Sequence, residues 1–345
     1  MQINRNTFPK ITVIIPIKNE AKFIASTIER ILGQDYPAEK IEIITACGDS
    51  EDGSFDIVSA MASKEKRVKV FHNPVGLASG GRNIGIRNAT GEIIVFIDGH
   101  THIDNDQLIK NTALLMAEKE VSVLSRPQFL ETPDNTIFQQ AVALARKSTI
   151  GHGLDSTIYT NEDKYVAPTS SGASYKKEIF EEFGLYDERF DACEDVELNY
   201  RLAKSGYMSF TSMKLAVYYY PRNSLKGLFL QMSRYGKGRF RLWRKHPATL
   251  SIGTLLPSLF TLGVPLIGLL SIISNIIFAL FLILLTLYVG VVVASSIYLS
   301  LRNGIKYFPI LPAIYPTIHI GLGWGFLSEF WRTITGRGID FQSEP

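Results

Sequence analysis

Short β-branched runs alternate with stretches of helical periodicity through the first hundred residues. Ile11–Ile17 (ITVIIPI) is almost wholly apolar and is closed by polar residues, the pattern of a strand buried on both faces. Phe23, Ile24, Thr27, Ile28, Ile31 and Leu32 then recur at helical spacing until Gly33 and Pro37 stop them. Ile41–Cys47 reads as a second strand ending in the turn-rich GDSEDGS, residues 55–63 as a helix and Val68–His72 as a third strand. Residues 77–88 form a helical pattern with a glycine-rich start, and the strand pattern of 92–97 ends abruptly at Asp98-Gly99-His100. Strands alternating with helices at this spacing predict an α/β fold with a mostly parallel sheet and helices on both faces. Ligands of such sheets collect at the carboxyl ends of the strands. Asn19, Glu20, Asp49, Asp52 and Asp98 all fall just past such an end.

The pattern is less regular farther on. Residues 121–125 and 215–220 read as extended, and 136–147, 176–183 and 194–204 as helical. The polar, glycine-containing stretch 151–171 is expected to loop over the site. From residue 247 to 301 there is no Asp, Glu, Lys or Arg, a run longer than the ~20 apolar residues that cross a bilayer. It accommodates spanning helices at 250–270, with Pro257 and Pro265 inside it, and at 276–301. Residues 307–331, interrupted by Pro309, Pro312, Pro316 and His319, are a third candidate, either spanning or lying in the interface.

Composition changes this picture only locally. Of 345 residues 46% are hydrophobic and 20% charged, and the net charge of +3 is too small to argue for a nucleic-acid partner. Arg234, Lys237, Arg239, Arg241, Arg244 and Lys245 crowd just before the apolar run, and flanking cations of this kind stay on the cytoplasmic side. Two cysteines, Cys47 and Cys193, make no disulfide framework, which fits a reducing compartment. The opening MQINRNTFPK has no apolar core, so no signal peptide is expected and membrane contact is assigned to the C-terminal third.

Three groups of residues carry candidate chemistry. Asp98 and His100, separated by Gly99, can face one cation, and an oxygen and imidazole donor pair suits Mn²⁺ or a similar ion; a helix cap is the plainer use of such an Asp. Glu194 and Asp195 point in different directions, so one can accept a proton while the other positions a hydroxyl, or both can serve a helix start. Gln231, Arg234 and Tyr235 can hold a diphosphate and stack on a ring, or belong to a basic membrane flank.

Their order is more specific than any one of them. Pro16-Ile17-Lys18-Asn19-Glu20, then 48–54 (GDSEDGS), Gly81-Arg82-Asn83-Ile84-Gly85, Asp98-Gly99-His100, Glu194-Asp195-Val196-Glu197-Leu198 with Arg201, and Gln231-x-x-Arg234-Tyr235 together resemble family 2 of the glycosyltransferases. The resemblance covers about residues 9–245, and EDVELNYRL with the apolar tail is similar to the bacterial exopolysaccharide branch of the succinoglycan type. It implies a GT-A fold (Rossmann-like, mostly parallel sheet) followed by C-terminal transmembrane or interfacial helices. By it Pro16, Asn19, Glu20, Asp49, Asp52, Arg82, Asp98, Gln231, Arg234 and Tyr235 bind the nucleotide sugar. Asp98 and His100 take the metal (Mn²⁺ or Mg²⁺), and Asp195 is the base with Glu194 beside it. Two positions depart from the family pattern: Cys47-Gly48 stand where a pair of aspartates is usual, and the metal motif is Asp-x-His where Asp-x-Asp is usual.

The resemblance implies inverting, metal-dependent transfer from a nucleotide-diphosphate sugar, a UDP-hexose for preference, to a lipid-linked or growing polysaccharide acceptor. Transfer to a simple polyprenyl phosphate is the alternative within enzymes, and a non-catalytic membrane scaffold the alternative outside them. The expected organisation is a catalytic domain over 1–245, a membrane region over 246–335 with two or three hydrophobic helices, and a polar tail over 336–345. It places a multi-pass chain in the cell membrane, its catalytic domain cytoplasmic, with polysaccharide-assembly proteins as partners. Arg302, Lys306, Arg332 and Arg337 on the cytoplasmic side would make 307–331 re-entrant or interfacial.

Overall fold

The structure, a computed structural model, describes residues 8–151, 158–159 and 161–341. In chain order it has β1 (Ile11–Ile17), α1 (Ile24–Leu32), β2 (Ile41–Cys47), α2 (Ser54–Lys64), β3 (Val68–His72), α3 (Ala78–Asn88), β4 (Ile93–Phe96), β5 (Thr101–His102) and α4 (Leu108–Glu118). There follow β6 (Val123–Ser125), β7 (Gln128–Phe129), α5 (Ile137–Lys147), β8 (Lys164–Val166), β9 (Gly172–Lys176), α6 (Glu178–Phe183) and α7 (Glu194–Lys204). The chain ends with β10 (Ser209–Thr211), β11 (Val217–Tyr219), α8 (Leu225–Lys245), α9 (Ile252–Leu270), α10 (Asn275–Asn303) and α11 (Leu311–Ile334).

Eight strands form one sheet in the order β3-β2-β1-β4-β9-β6-β10-β8. The β1–β2, β2–β3, β1–β4 and β6–β10 pairs are parallel, whereas β9 runs antiparallel between β4 and β6 and β8 is an antiparallel edge. The sheet is therefore mostly parallel, as the β-branched runs predict. Alternation along β1 sorts its residues onto two cores. Ile11, Val13, Ile15 and Ile17 pack with Ile24, Ile28 and Ile31 of α1, while Ile14 joins Ile44, Ile94, Ile86 of α3 and Leu198 and Leu202 of α7 on the other face. A second, three-stranded sheet has the order β5-β11-β7.

The Gly81–Gly85 motif has a packing cause. A side-chain carbon at Gly85 would collide with Ile14, and one at Gly81 would lie 2.9 Å from Pro16, so only glycine lets α3 sit this close to β1. Arg82, between them, is carried into the interior by that approach.

Contacts divide the chain into two compact units, one of Met1–Thr132 and Ser156–Tyr220, the other of Pro133–Asp155 and Pro221–Pro345. This division differs from a boundary at residue 245. Helix α5 lies in the second unit because Ala141, Val142 and Ala145 pack with Leu228, Met232, Leu311, Ile314 and Tyr315, and Gln140 accepts from the Tyr307 hydroxyl at 2.7 Å. Helix α8 lies there because it runs against α11: Gly321 and Gly325 press on Met232 and Ser233, Gly236 presses on Leu322, and buried Arg241 and Glu329 pair at 2.9 Å.

Among the described residues two helices, α9 and α10, are long and apolar enough to cross a membrane. The third candidate, 307–331, forms α11, with Leu311, Ile314, Tyr315, Ile318, Phe326 and Glu329 buried. Within the expected 151–171 loop, residues 152–157 and 160 lie outside the described residues, as do 1–7 and the last four of the polar tail. The described part is not simply a loop, since Lys164–Val166 pairs with β10 at the sheet edge; three residues are too short a pattern to read as a strand.

Candidate functional site

The crevice is assembled from loops that follow β1, β2 and β4. Asn19 closes β1 in the left-handed region (φ 57°), which asparagine tolerates better than most residues. Its N–H donates to Ser50 Oγ, and its Oδ1 accepts from the Glu51 N–H at 3.0 Å. The Glu20 N–H donates to Ser54 Oγ at 2.7 Å and the Ala21 N–H to Asp52 Oδ2 at 2.9 Å. Asp52 also accepts from the Ser54 hydroxyl, which together with the Ala21 N–H holds its carboxyl below the ordinary range. Asp52 is thus committed to lacing the two loops together. The Asp49 side chain, by contrast, is 90% exposed and meets His72 Nε2 at 3.2 Å. Asp49 is thus the less engaged carboxylate of the two.

At the end of β4, His100 Nδ1 lies 2.8 Å from Glu20 Oε1, joining two residues eighty apart in the chain. The Asp98 carboxyl lies 3.6 Å from Arg82 Nη2, while Arg82 Nη1 reaches Glu194 Oε1 at 2.9 Å. Arg82 therefore bridges the strand-end aspartate to the acidic pair that opens α7. Its guanidinium carbon sits 5.5 Å from the Phe96 ring centre and 5.4 Å from that of Tyr186. Burial works to raise Asp98, but Arg82, His100 and Arg126 outweigh it and hold the carboxyl below its usual value. Burial raises Glu194 above the usual carboxylate range, opposed by Arg82 and helped by Asp195. Asp195 forms no ion pair among the described residues and accepts only its neighbour's Val196 N–H, at 2.8 Å. The first turn of α7 holds Glu194, Asp195 and Glu197, so the helix-start use of these acids also operates.

Five residues singled out in the sequence are thus paired in one unit, Glu20 with His100 and Arg82 with Asp98 and Glu194, and Asp195 stands next to the second group as the neighbour of Glu194. Pro16 lies in β1 under α3. Gln231, Arg234 and Tyr235 lie on α8 in the second unit, where the Gln231 amide donates to the Tyr235 hydroxyl at 3.4 Å and Arg146 sits 5.9 Å from the Tyr235 ring centre. No group of three or more His, Cys, Asp or Glu side chains converges as a metal cluster among the described residues. Sequence reasoning missed Arg126, Tyr186, Tyr219 and His72. Arg126 and His72 stand at the carboxyl ends of strands, the same signal that picked out Asp98.

A mostly parallel sheet with carboxylates gathered at its strand ends and an acid pair opening a helix is the arrangement in which α/β enzymes bind their ligands. The chain belongs to glycosyltransferase family 2, the family described as Glycosyl transferase family 2 matching residues 12–184. It is 32% identical over 250 residues to the succinoglycan biosynthesis protein ExoA of Rhizobium meliloti, covering 71% of this chain and 73% of that protein. It is 27% identical over 319 residues to a dolichyl N-acetyl-alpha-D-glucosaminyl phosphate 3-beta-D-2,3-diacetamido-2,3-dideoxy-beta-D-glucuronosyltransferase of Methanococcus voltae, covering 92% and 95%. Its fold is that of a mannosyltransferase from Pyrobaculum calidifontis solved with GDP-Man and Mn²⁺, with a TM-score of 0.60 and 19% identity over 95% of this chain and 89% of that one. The protein is a glycosyltransferase with a GT-A fold.

Proposed function

We propose that the protein transfers a sugar, with inversion, from a nucleotide-diphosphate donor to a lipid-linked or growing polysaccharide acceptor at a membrane surface. The observation that carries this reading is the Arg82 bridge, which joins Asp98 at the end of β4 to the Glu194-Asp195 pair within one crevice. Asp98 and His100 would hold a divalent cation. A carboxylate and an imidazole suit Mn²⁺. Bound there, the ion supplies positive charge for the departing diphosphate.

Glu194 is occupied by Arg82, so Asp195 is the group left to take a proton. It removes the proton of an acceptor hydroxyl as that oxygen bonds to the anomeric carbon, and the bond to the diphosphate breaks on the opposite face. An α-linked donor then gives a β-linked product. Asp49, with His72 beside it, faces the nucleoside, while Asp52 holds the loop that shapes its pocket. The acceptor class is supported by relatives whose names specify succinoglycan biosynthesis and a dolichyl-linked substrate, and by the two apolar helices. The donor class is supported by the GDP-Man in the structurally similar mannosyltransferase.

The test is to incubate membranes holding the full chain with radiolabelled UDP- and GDP-sugars, with and without Mn²⁺, and follow label into lipid and polymer. Asp195→Asn should bind donor like the parent yet lose roughly 10²–10⁴-fold in rate, the usual worth of general-base catalysis. Normal turnover by both Asp195→Asn and Glu194→Gln would overturn the mechanism. Label confined to a simple polyprenyl phosphate would overturn the acceptor class.

A further inference from the structure

Arg126 follows β6 directly, where the β6–β9 register shifts between Leu124 and Ser125. Bulges of this kind re-aim a side chain beside an active site. The Arg126 N–H donates to the Ser171 carbonyl at 3.0 Å, which fixes its backbone. Its side chain crosses to the other side of β9, and Nη2 donates to the carbonyl of Phe96, the last residue of β4 and two before Asp98. The residue is only 3% exposed, yet Nε and Nη1 have no hydrogen-bond partner among the described residues.

A buried cation with unpaired N–H groups is a net cost to folding, so stability does not account for it. Its electrostatic neighbours are the Asp98 carboxyl and the Tyr219 hydroxyl. Two buried guanidiniums thus reach the end of β4, Arg126 at the Phe96 carbonyl and Arg82 at Asp98, and among the described residues Arg82 alone of the two has an acidic partner within ion-pair distance.

We propose that Arg126 is a positioning residue for the diphosphate end of the donor. It clamps the end of β4 from which Asp98 projects, and it adds a second buried positive charge near that carboxylate. The inference rests on the reading of Asp98 and His100 as the pair that meets a metal and a diphosphate. It makes a distinctive demand: loss of the charge weakens the phosphate end of donor binding, leaves the nucleoside end alone and does not unfold the protein.

The test is calorimetric titration of the full chain in nanodiscs with UDP, GDP, uridine and guanosine, each with and without MnCl₂, alongside thermal melts. For the diphosphate the parent prefers, R126M should bind about tenfold more weakly in Mn²⁺, the scale of one charge-assisted contact, with nucleoside affinity unchanged. Its melting temperature should stay within a few degrees of the parent's. R126Q keeps a donor for the Phe96 carbonyl without the charge and should show the same loss, whereas R126K should recover most of the affinity. R126M and R126Q binding like the parent, or losing nucleoside and diphosphate affinity equally, overturns the inference and leaves the reading of Asp98 intact. A parent that gains nothing from Mn²⁺ with either diphosphate overturns both.

Discussion

At the scale of single residues, buried charge is tolerated where several partners meet it, and Glu42 shows the rule away from the site. Its side chain lies between strands, accepting from Thr12 Oγ1 at 2.6 Å, from the Thr90 N–H at 2.8 Å and from Lys69 Nζ at 2.6 Å. Burial alone would raise its pKa, but Lys69, Thr12 and Thr90 outweigh it and bring it down to about 2, against an ordinary 4.5. The folded state therefore holds the ionised form more firmly than the unfolded chain does. The resulting stability is present in full above the unfolded value and is lost as pH falls from about 4.5 toward 2. A difference of this size corresponds to about 3 kcal/mol. Glu42→Gln should be destabilised at pH 7 and should lose less stability than the parent over that acid range. Parallel acid limbs in pH-dependent denaturant melts of the two proteins would show that Glu42 does not carry this dependence.

At the scale of elements, glycine decides how closely helices approach. Helix α11 presents Gly321 and Gly325 to α8 and Gly323 to Pro257 and Thr261 of α9, so any side chain at these positions would run into a neighbouring backbone or side chain. Gly290 of α10, by contrast, has nothing within 4 Å of an added side-chain carbon. Gly325→Ala should push α11 off α8, at a cost of about 1–3 kcal/mol as overpacking typically exacts. Gly290→Ala should be neutral or slightly stabilising, because alanine is the better helix former. Thermal melts in one detergent compare the two, and equal melting temperatures would remove the close-approach argument.

At the scale of the whole molecule, the arrangement of charge sets the expected topology. Arg244 and Lys245 precede α9 and Arg302 ends α10, with no charged residue between residues 247 and 301. Both cationic ends favour the cytoplasmic side, so α9 and α10 should cross as a hairpin whose turn at 271–274 faces outward. Ile272 and Ile273 in that turn are 81% and 78% exposed, and a cysteine there would be open to reagent. Since Cys47 and Cys193 are both buried, Ile273→Cys should be labelled by an impermeant thiol reagent from the outer side, and Arg337→Cys only from the cytoplasmic side. Labelling at 273 only from the cytoplasmic side would rule out two crossings.

What the sequence determined by itself is local or additive. The β-branched run of β1, the periodicity of α1 and the charge-free stretch of α9 and α10 each depend on near neighbours, and each was legible. So was the order of Glu20, Asp98, His100, Glu194 and Asp195, because residues past strand ends need no partner to be noticed. What tertiary structure decided are pairings between distant positions. Only the folded chain shows that Asp52 is spent on Ala21 and Ser54 while Asp49 stays open, and that Arg82 binds Glu194, more than a hundred residues away. The antiparallel insertion of β9 between β4 and β6 follows from sheet pairing that no three-to-five-residue pattern specifies. Helix α8, whose cations stand out in the sequence just before the apolar run, is also half of a glycine-mediated helix pair, which its sequence does not announce. Arg126 escaped notice for the same reason: an arginine after a short strand is unremarkable until burial removes every solvent partner it would otherwise have.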